Sequence, residues 1–357
     1  MTTSKLLVFT GSYAEKENPG IHVYELDENT YELSLRSKQG GVKNPTFLQV
    51  DSDSKQLISI GEMVTTDGLK SGEALAYQIL PETGELELIN RGQSAYAPIC
   101  HVQKDPQGEY LVISSYHGGT VSLVSLKEDA SIGKMLDSKQ HKGHGTHPER
   151  QDRPHVHSAF FSPDGRFIMV QDLGLDTIFV YQIDREENKL VLHREVHTHD
   201  AAGPRHLVFH PNGKYAYVIN EVDSTVTSYS YDAEEGNLTA IQTLPTLPSD
   251  FTGENTCAEI TISADGRFVY GSNRGHDSIV VYATSADGTL EHVQHISTEG
   301  AHPRHFSLTP NGNLMLVTNR DTNNIAVFEV NKETGRLTYT GKQVESPKPV
   351  CVWSVYM

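Results

Sequence analysis

Apolar residues in this chain come in short clusters, each bounded by turn-forming or charged residues. Tyr110-Leu111-Val112-Ile113, Thr177-Ile178-Phe179-Val180-Tyr181 and Ile279-Val280-Val281-Tyr282 are examples. Short runs of β-branched and aromatic residues between such boundaries predict strands. No stretch sustains a helical hydrophobic period, so no long helix is predicted. The boundaries themselves recur. Asp51-Ser52-Asp53-Ser54, Asp105-Pro106-Gln107-Gly108, Ser162-Pro163-Asp164-Gly165, His210-Pro211-Asn212-Gly213, Ser263-Ala264-Asp265-Gly266 and Thr309-Pro310-Asn311-Gly312 follow one another at intervals of 46 to 57 residues. Asp-Gly and Asn-Gly supply the positive φ that a tight hairpin turn needs.

Each of these turns is followed by a strand, a polar loop and a further strand. A Gly- or Asn-containing turn and a short last strand complete the unit, as in Gly84 to Leu88, Gly236 to Thr239, Gly288 to Leu290 and Gly335 to Thr338. Four strands in about 50 residues is the pattern of a propeller blade. Six turns predict six complete blades. The chain ends supply the seventh: Lys5–Phe9 reads as its second strand, Ile21–Tyr24 as its third and Leu33–Leu35 as its fourth. The missing first strand is assigned to Pro349–Trp353 near the C-terminus, a clasp that closes the ring and removes exposed sheet edges. The predicted fold is therefore all-β, a seven-bladed propeller of four-stranded antiparallel blades. One domain is expected over residues 1–357, because no linker divides the chain.

Composition agrees with many half-exposed strands: 37% of residues are hydrophobic, with 29 Gly, 16 Pro and 16 Tyr. No apolar run approaches the ~20 residues needed to cross a bilayer, so no membrane partner is expected. The N-terminal run Leu6–Phe9 is too short for the apolar core of an export signal, which predicts a cytoplasmic protein. A net charge of −17 argues against nucleic-acid binding. An anionic ligand would need a local cluster of cations. The three cysteines (Cys100, Cys257 and Cys351) are widely spaced and predict neither disulfides nor a zinc ribbon.

Superposing the repeats on their turns reveals such a cluster. Eight residues before each turn anchor lie Thr46, Cys100, His157, Arg205, Ala258 and Arg304, and one residue later Phe47, His101, Ser158, His206, Glu259 and His305. Eight residues after it lie Glu62, Tyr116, Leu173, Glu221, Arg274 and Arg320. These positions start the first strand and end the second, so all are expected around one mouth of the central channel. Ionisable residues concentrate in blades four to seven. Buried charges cost desolvation unless paired, which favours a functional site. The competing reading is a set of Arg–Glu rivets between blades.

Two insertions reach the same face. Ser131 to Arg153 carries His141, His144 and His147 and leads to His155 and His157; Leu244 to Thr256 carries Pro245, Pro248 and Gly253. Both read as lids. His155-x-His157 puts two imidazoles on one strand face, but no Cys or carboxylate joins them at ligand spacing, so no metal is assigned. Cys100 shares the Arg205 register and is read as packing, with His101 pointing to the other face. No phosphate loop, nucleophile elbow or organic-cofactor motif is present.

Arg150-Gln151, Pro154-His155-Val156-His157-Ser158, Gly203-Pro204-Arg205-His206, Val218-Ile219-Asn220-Glu221, Ala258-Glu259-Ile260, Ser272-Asn273-Arg274-Gly275-His276 and His302-Pro303-Arg304-His305 together resemble the seven-bladed propeller lactonase family. That family includes bacterial propeller-type 6-phosphogluconolactonases and the fungal carboxy-muconate lactonising enzyme. The resemblance covers essentially the whole chain. It implies a lactone hydrolase acting on a phosphorylated sugar lactone without a cofactor. In the lactonising branch a His, two Arg and a Glu at the channel mouth are implicated, which carries over to His157, Arg205, Glu221 and Arg274. His155, His206, Glu259, Arg304, His305 and Arg320 are expected to surround the substrate, the arginines suiting a phosphate. Either His157 or Glu221 would activate water, and Arg205 would stabilise the oxyanion. Lactonisation of a muconate-type diacid and a non-catalytic binding scaffold are the alternatives.

Overall fold

A computed structural model describes residues 5–357. Met1–Ser4, the start of the stretch read as too short for an export signal, lie outside the described residues. Among the described residues, 28 strands make seven four-stranded antiparallel sheets, and the one helical element is the 3-10 turn Leu173–Leu175. No helix is long and apolar enough to cross a membrane.

The fourth blade shows the pattern: Val156–Phe161 is innermost, followed outward by Ile168–Asp172, Thr177–Asp184 and Lys189–His197. Second and third strands are buried almost throughout, whereas the outermost strand alternates or lies open. The cause is geometric. A middle strand has a neighbouring blade on each face, so both faces become apolar; the outer strand has solvent on its free edge. The hydrophobic core is accordingly split among the blade interfaces. Tyr110, Val112 and Val121 of blade three pack with Ile168, Val170 and Phe179 of blade four. Leu316 and Val327 of blade seven pack with Val8, Tyr24 and Val352 of blade one.

The ring closes as expected. Pro349–Tyr356 pairs antiparallel with Leu6–Ser12, running from Leu6 opposite Tyr356 to Ser12 opposite Pro349, with Phe9 opposite Trp353. Both predicted insertions are shorter than expected. Ile132–Gln140 is the outer strand of blade three and pairs with Thr120–Leu126, so the histidine-rich loop begins at His141. Only Ile132 in that strand is buried, and a solvent-facing edge strand reads in sequence as a loop. Likewise Asn237–Pro245 is a strand, and the second loop begins at Thr246.

The innermost strands share an irregularity that decides the site. Their register skips His157, Arg205 and Arg304: Val156 faces Asp172 but Ser158 faces Gln171, Pro204 faces Asn220 but His206 faces Ile219, and Pro303 faces Asn319 but His305 faces Thr318. Blade six skips two residues, Ala258 and Glu259, between Cys257 and Ile260. These are β-bulges, which re-aim side chains and break strict alternation.

Candidate active site

A cavity of about 280 Å³ opens at the end of the disc where the second strands finish. His157, Glu221, Arg304, Tyr116, Cys100 and Glu62 are among the residues that line it. The bulges bring His157 and Arg304 here from the first strands of blades four and seven. Glu221 arrives from the opposite direction, just past the second strand Tyr215–Asn220 of blade five.

Glu221 organises the cations. Its carboxylate accepts from Arg205 Nε at 3.0 Å and Arg274 Nη2 at 2.8 Å, and it also pairs with Arg150. Burial by itself would raise the Glu221 pKa, but Arg274, Arg205 and Arg150 carry it far below the usual carboxylate range. An ionised carboxylate saturated by three guanidinium groups is a poor base and a good clamp. It ties blades five and six and the histidine-rich loop together, so for this residue the rivet reading has substance. Arg205 also donates to the Ala258 carbonyl. Burial, then Arg274 and Arg304, press its pKa down to about 9, which leaves it charged at neutral pH.

Arg304 behaves differently. It is half-buried, lines the cavity, and among the described residues makes no hydrogen bond or ion pair. His157 is 4% exposed, and burial together with Arg205 and His206 holds its pKa well below 6.5. It is a neutral imidazole beside uncommitted positive charge. Such a pocket can hold an anion on Arg304 while His157 accepts a proton.

The other expected site residues are placed elsewhere. His206, Glu259 and His305 were expected at this mouth; they lie one layer deeper. The bulge turns consecutive residues toward the axis at two depths, so Arg205 takes the upper and His206 the lower. Glu259 accepts from His206 Nδ1 at 3.0 Å and from His305 Nε2 at 3.2 Å. Phe47, His101 and Phe160 also belong to this layer: the Phe47 and His101 ring centroids are 4.4 Å apart, Phe160 lies 4.9 Å from His101, and His101 lies 5.5 Å from His206. His101 therefore does not turn away from the channel. Cys100 and His101 both sit opposite Ser114, another two-to-one register. Beneath the layer a second cavity of about 540 Å³ opens toward the opposite end, with His206, Glu259, His305 and Trp353 in its wall. Arg320 is drawn away by Asp321, whose Oδ1 lies 2.6 Å from its Nε, and does not line the mouth cavity. His155 forms the wall behind it, stacked on Tyr116 at 4.2 Å and donating from Nδ1 to the Tyr116 carbonyl at 3.1 Å.

The loop histidines serve as anchors. His141 is buried between Asp172, 2.7 Å from Nδ1, and the Tyr181 hydroxyl, 3.0 Å from Nε2. His147 Nδ1 accepts from the Arg150 backbone amide at 3.2 Å. Among the described residues, no group of three or more His, Cys, Asp or Glu is arranged to hold a metal ion. The Cys100 thiol lies 3.1 Å from the His157 carbonyl, and burial pushes its pKa up to about 12, so it is no nucleophile at neutral pH.

Sequence reasoning assigned no role to Arg150 or Tyr116. Arg150 lies outside the repeat, and register comparison is silent on loops. Its neighbour Gln151 is fully buried and holds the loop: Nε2 donates to the Leu173 carbonyl at 2.9 Å and to Asp176 at 2.6 Å, and Oε1 accepts from the His147 amide at 2.9 Å. Gln151→Ala removes the side-chain partner of the buried Leu173 carbonyl and of the His147 amide, while Asp176 keeps the Ala201 and Gly203 amides. Thermal unfolding should show a loss of about 1–3 kcal/mol, and the released Arg150 should raise KM more than it lowers kcat.

Residues 7–354 match the family described as "Lactonase, 7-bladed beta-propeller". A 6-phosphogluconolactonase from Bacillus subtilis (strain 168) is 36% identical over 351 residues, covering 98% of each chain. The crystal structure of a Lactobacillus plantarum protein superposes with a TM-score of 0.90 at 32% identity, covering 99% of this chain and 100% of that one. A periplasmic gluconolactonase from Pseudomonas aeruginosa superposes with a TM-score of 0.91 at 29% identity, covering 98% of this chain and 99% of that one. The chain belongs to the lactonase family of seven-bladed β-propellers, and is a lactone hydrolase.

Proposed function

We propose that this protein hydrolyses 6-phospho-glucono-1,5-lactone to 6-phosphogluconate at the mouth cavity, with no cofactor. The observation that carries this reading is Arg304, whose side chain makes no hydrogen bond or ion pair among the described residues, beside a neutral His157 in a cavity whose wall includes Glu221, itself paired with Arg205, Arg274 and Arg150. Arg304 holds the phosphate, since its guanidinium is free to form a bidentate pair. His157 takes a proton from water as the oxygen attacks the lactone carbonyl carbon. Arg205, held rigid by Glu221 and the Ala258 carbonyl, stabilises the oxyanion with a charge that need not reorganise. The tetrahedral intermediate collapses with cleavage of the ring C–O bond, and the His157 imidazolium returns its proton to the leaving oxygen. Glu221 and Arg274 hold this geometry. Of the two bases left open by sequence, His157 is favoured because Glu221 is already saturated.

Arg304→Ala tests the substrate. Making no side-chain hydrogen bond or ion pair among the described residues, Arg304 should be removable with little loss of folding stability. KM for the phospholactone should rise by about 10-fold or more, the scale of a lost charge-assisted contact, with gluconolactone hydrolysis little changed. Equal effects on both substrates would remove the phosphate from this reading. Carboxy-muconolactone is the control for the lactonising alternative, and spontaneous lactone hydrolysis must be subtracted throughout.

A further inference from the structure

Three imidazoles meet on the channel axis, each with one buried nitrogen that has no hydrogen-bond partner: His157 Nδ1, His206 Nε2 and His101 Nε2. The His157 and His206 rings are 5.1 Å apart and the His101 and His206 rings 5.5 Å apart. Orphaned buried polar atoms are costly, and three on rings packed around His206 suit a single shared water. The other ring nitrogens set the proton positions. His101 Nδ1 accepts from the Ala159 amide at 3.4 Å, so its Nε2 carries hydrogen. His305 Nδ1 accepts from the Val352 amide at 3.3 Å, so its Nε2 donates to Glu259. His206 Nδ1 donates to Glu259 at 3.0 Å, so its Nε2 is a lone pair.

We propose that Glu259 and His206 are positioning residues for His157, acting through a water held by His101, His206 and His157, and that they fix His157 as the Nδ1–H tautomer with a basic Nε2. The water takes a hydrogen bond from His101 Nε2–H and gives one to His206 Nε2. That bond, polarised by Glu259, makes its oxygen a better acceptor for His157 Nδ1–H. On the substrate side, Arg205, Arg304 and Arg274 are the charges that act on His157, and they favour a lone pair facing them. Both influences select the same tautomer, the one that a general base requires. Glu259 is buried among His206, His305, Arg205, Arg304, Cys351 and the Ser272 hydroxyl, and its backbone neighbour Ile260 N donates to it at 3.0 Å. It plays the orienting part that a directly bonded carboxylate plays in a catalytic triad, at one imidazole and one water removed. No proton leaves His157 along this chain in the reaction. This role rests on the lactonase reading only for its kinetic consequences.

The decisive measurement is ¹⁵N NMR of the histidine side chains in the ligand-free protein, which needs no substrate. Wild-type His157 should show protonated Nδ1 and unprotonated Nε2. In Glu259→Gln and His206→Asn this preference should weaken toward a tautomer mixture. In steady-state assays both variants should lose kcat by about 10-fold or more, as when an outer orienting partner is removed, with KM unchanged. The acid limb of the pH–rate profile should move to lower pH, because the imidazolium loses its distant counter-charge. A wild-type His157 protonated at Nε2 overturns the proposal, even if neither variant folds. So does an unchanged His157 spectrum with full kcat in folded Glu259→Gln. A wild-type protein that does not hydrolyse the phospholactone instead overturns the substrate assignment, and the spectra still decide the positioning role.

Discussion

His157→Ala and Arg205→Ala should each lower kcat/KM for 6-phospho-glucono-1,5-lactone by at least about 100-fold, the scale of a lost general base or oxyanion partner. The two losses have different causes. Without His157 the proposed base is gone, and neither neighbour takes its place: Glu221 is held ionised by its three arginines, and the Cys100 thiol stays protonated. Without Arg205 the base survives, but the developing oxyanion loses the guanidinium that Glu221 and the Ala258 carbonyl hold in place. KM should therefore change little in His157→Ala and more in Arg205→Ala, where Glu221 is free to shift. Circular dichroism confirms that each variant is folded before its rate is compared. Wild-type rates in both folded variants would sink the assignment of the site to this mouth.

The second large effect is on stability. His101, His157 and His206 are buried and neutral, and burial is the first cause holding each pKa well below 6.5. A histidine with a depressed folded pKa binds its proton preferentially in the unfolded chain, so stability is lost as pH falls below 6.5. Three such groups, at about 1.4 kcal/mol per pH unit each, give a slope of up to about 4 kcal/mol per unit. Burial of Glu259 raises its pKa above the ordinary 4.5, so the folded state gains a proton there first and offsets part of this slope between its folded pKa and 4.5. Glu221 acts in the opposite sense. Its depressed pKa contributes stability above 4.5 that is lost as pH falls further. Urea unfolding at pH 7.5, 6.0 and 5.0 should thus show a steep decline, and His101→Leu should flatten it. Equal stability at all three pH values would mean that these imidazoles are not held neutral in solution.

Much of this molecule is legible in one dimension because a propeller repeats. Asp164-Gly165, Asn212-Gly213 and Asp265-Gly266 mark hairpins by backbone chemistry alone, and the interval between them fixes four strands per blade. Closure by Pro349–Tyr356 follows from counting, since seven second strands have only six first strands before them. The edge strand Ile132–Gln140 escaped because solvent on its free side removes the apolar signal. Arg150 was visible as part of a family motif but received no role, because loops carry no register.

Register comparison of the blades was enough to place His157, Arg205, Glu221, Arg274 and Arg304 near one channel mouth. It could not say at what depth each side chain stops. Strict alternation would send Arg205 and His206 to opposite faces; the bulge at Arg205 brings both to the axis, one above the other. Nor could it say which charges are spent. Arg205, Arg274 and Arg150 are consumed by Glu221, Arg320 by Asp321, and Arg304 by nothing among the described residues. Local sequence determines strands, turns and their count, because those depend on neighbouring residues. Which carboxylate is a clamp, which imidazole is a base and which guanidinium is open to a ligand depends on contacts between blades. Those exist only once the ring has closed.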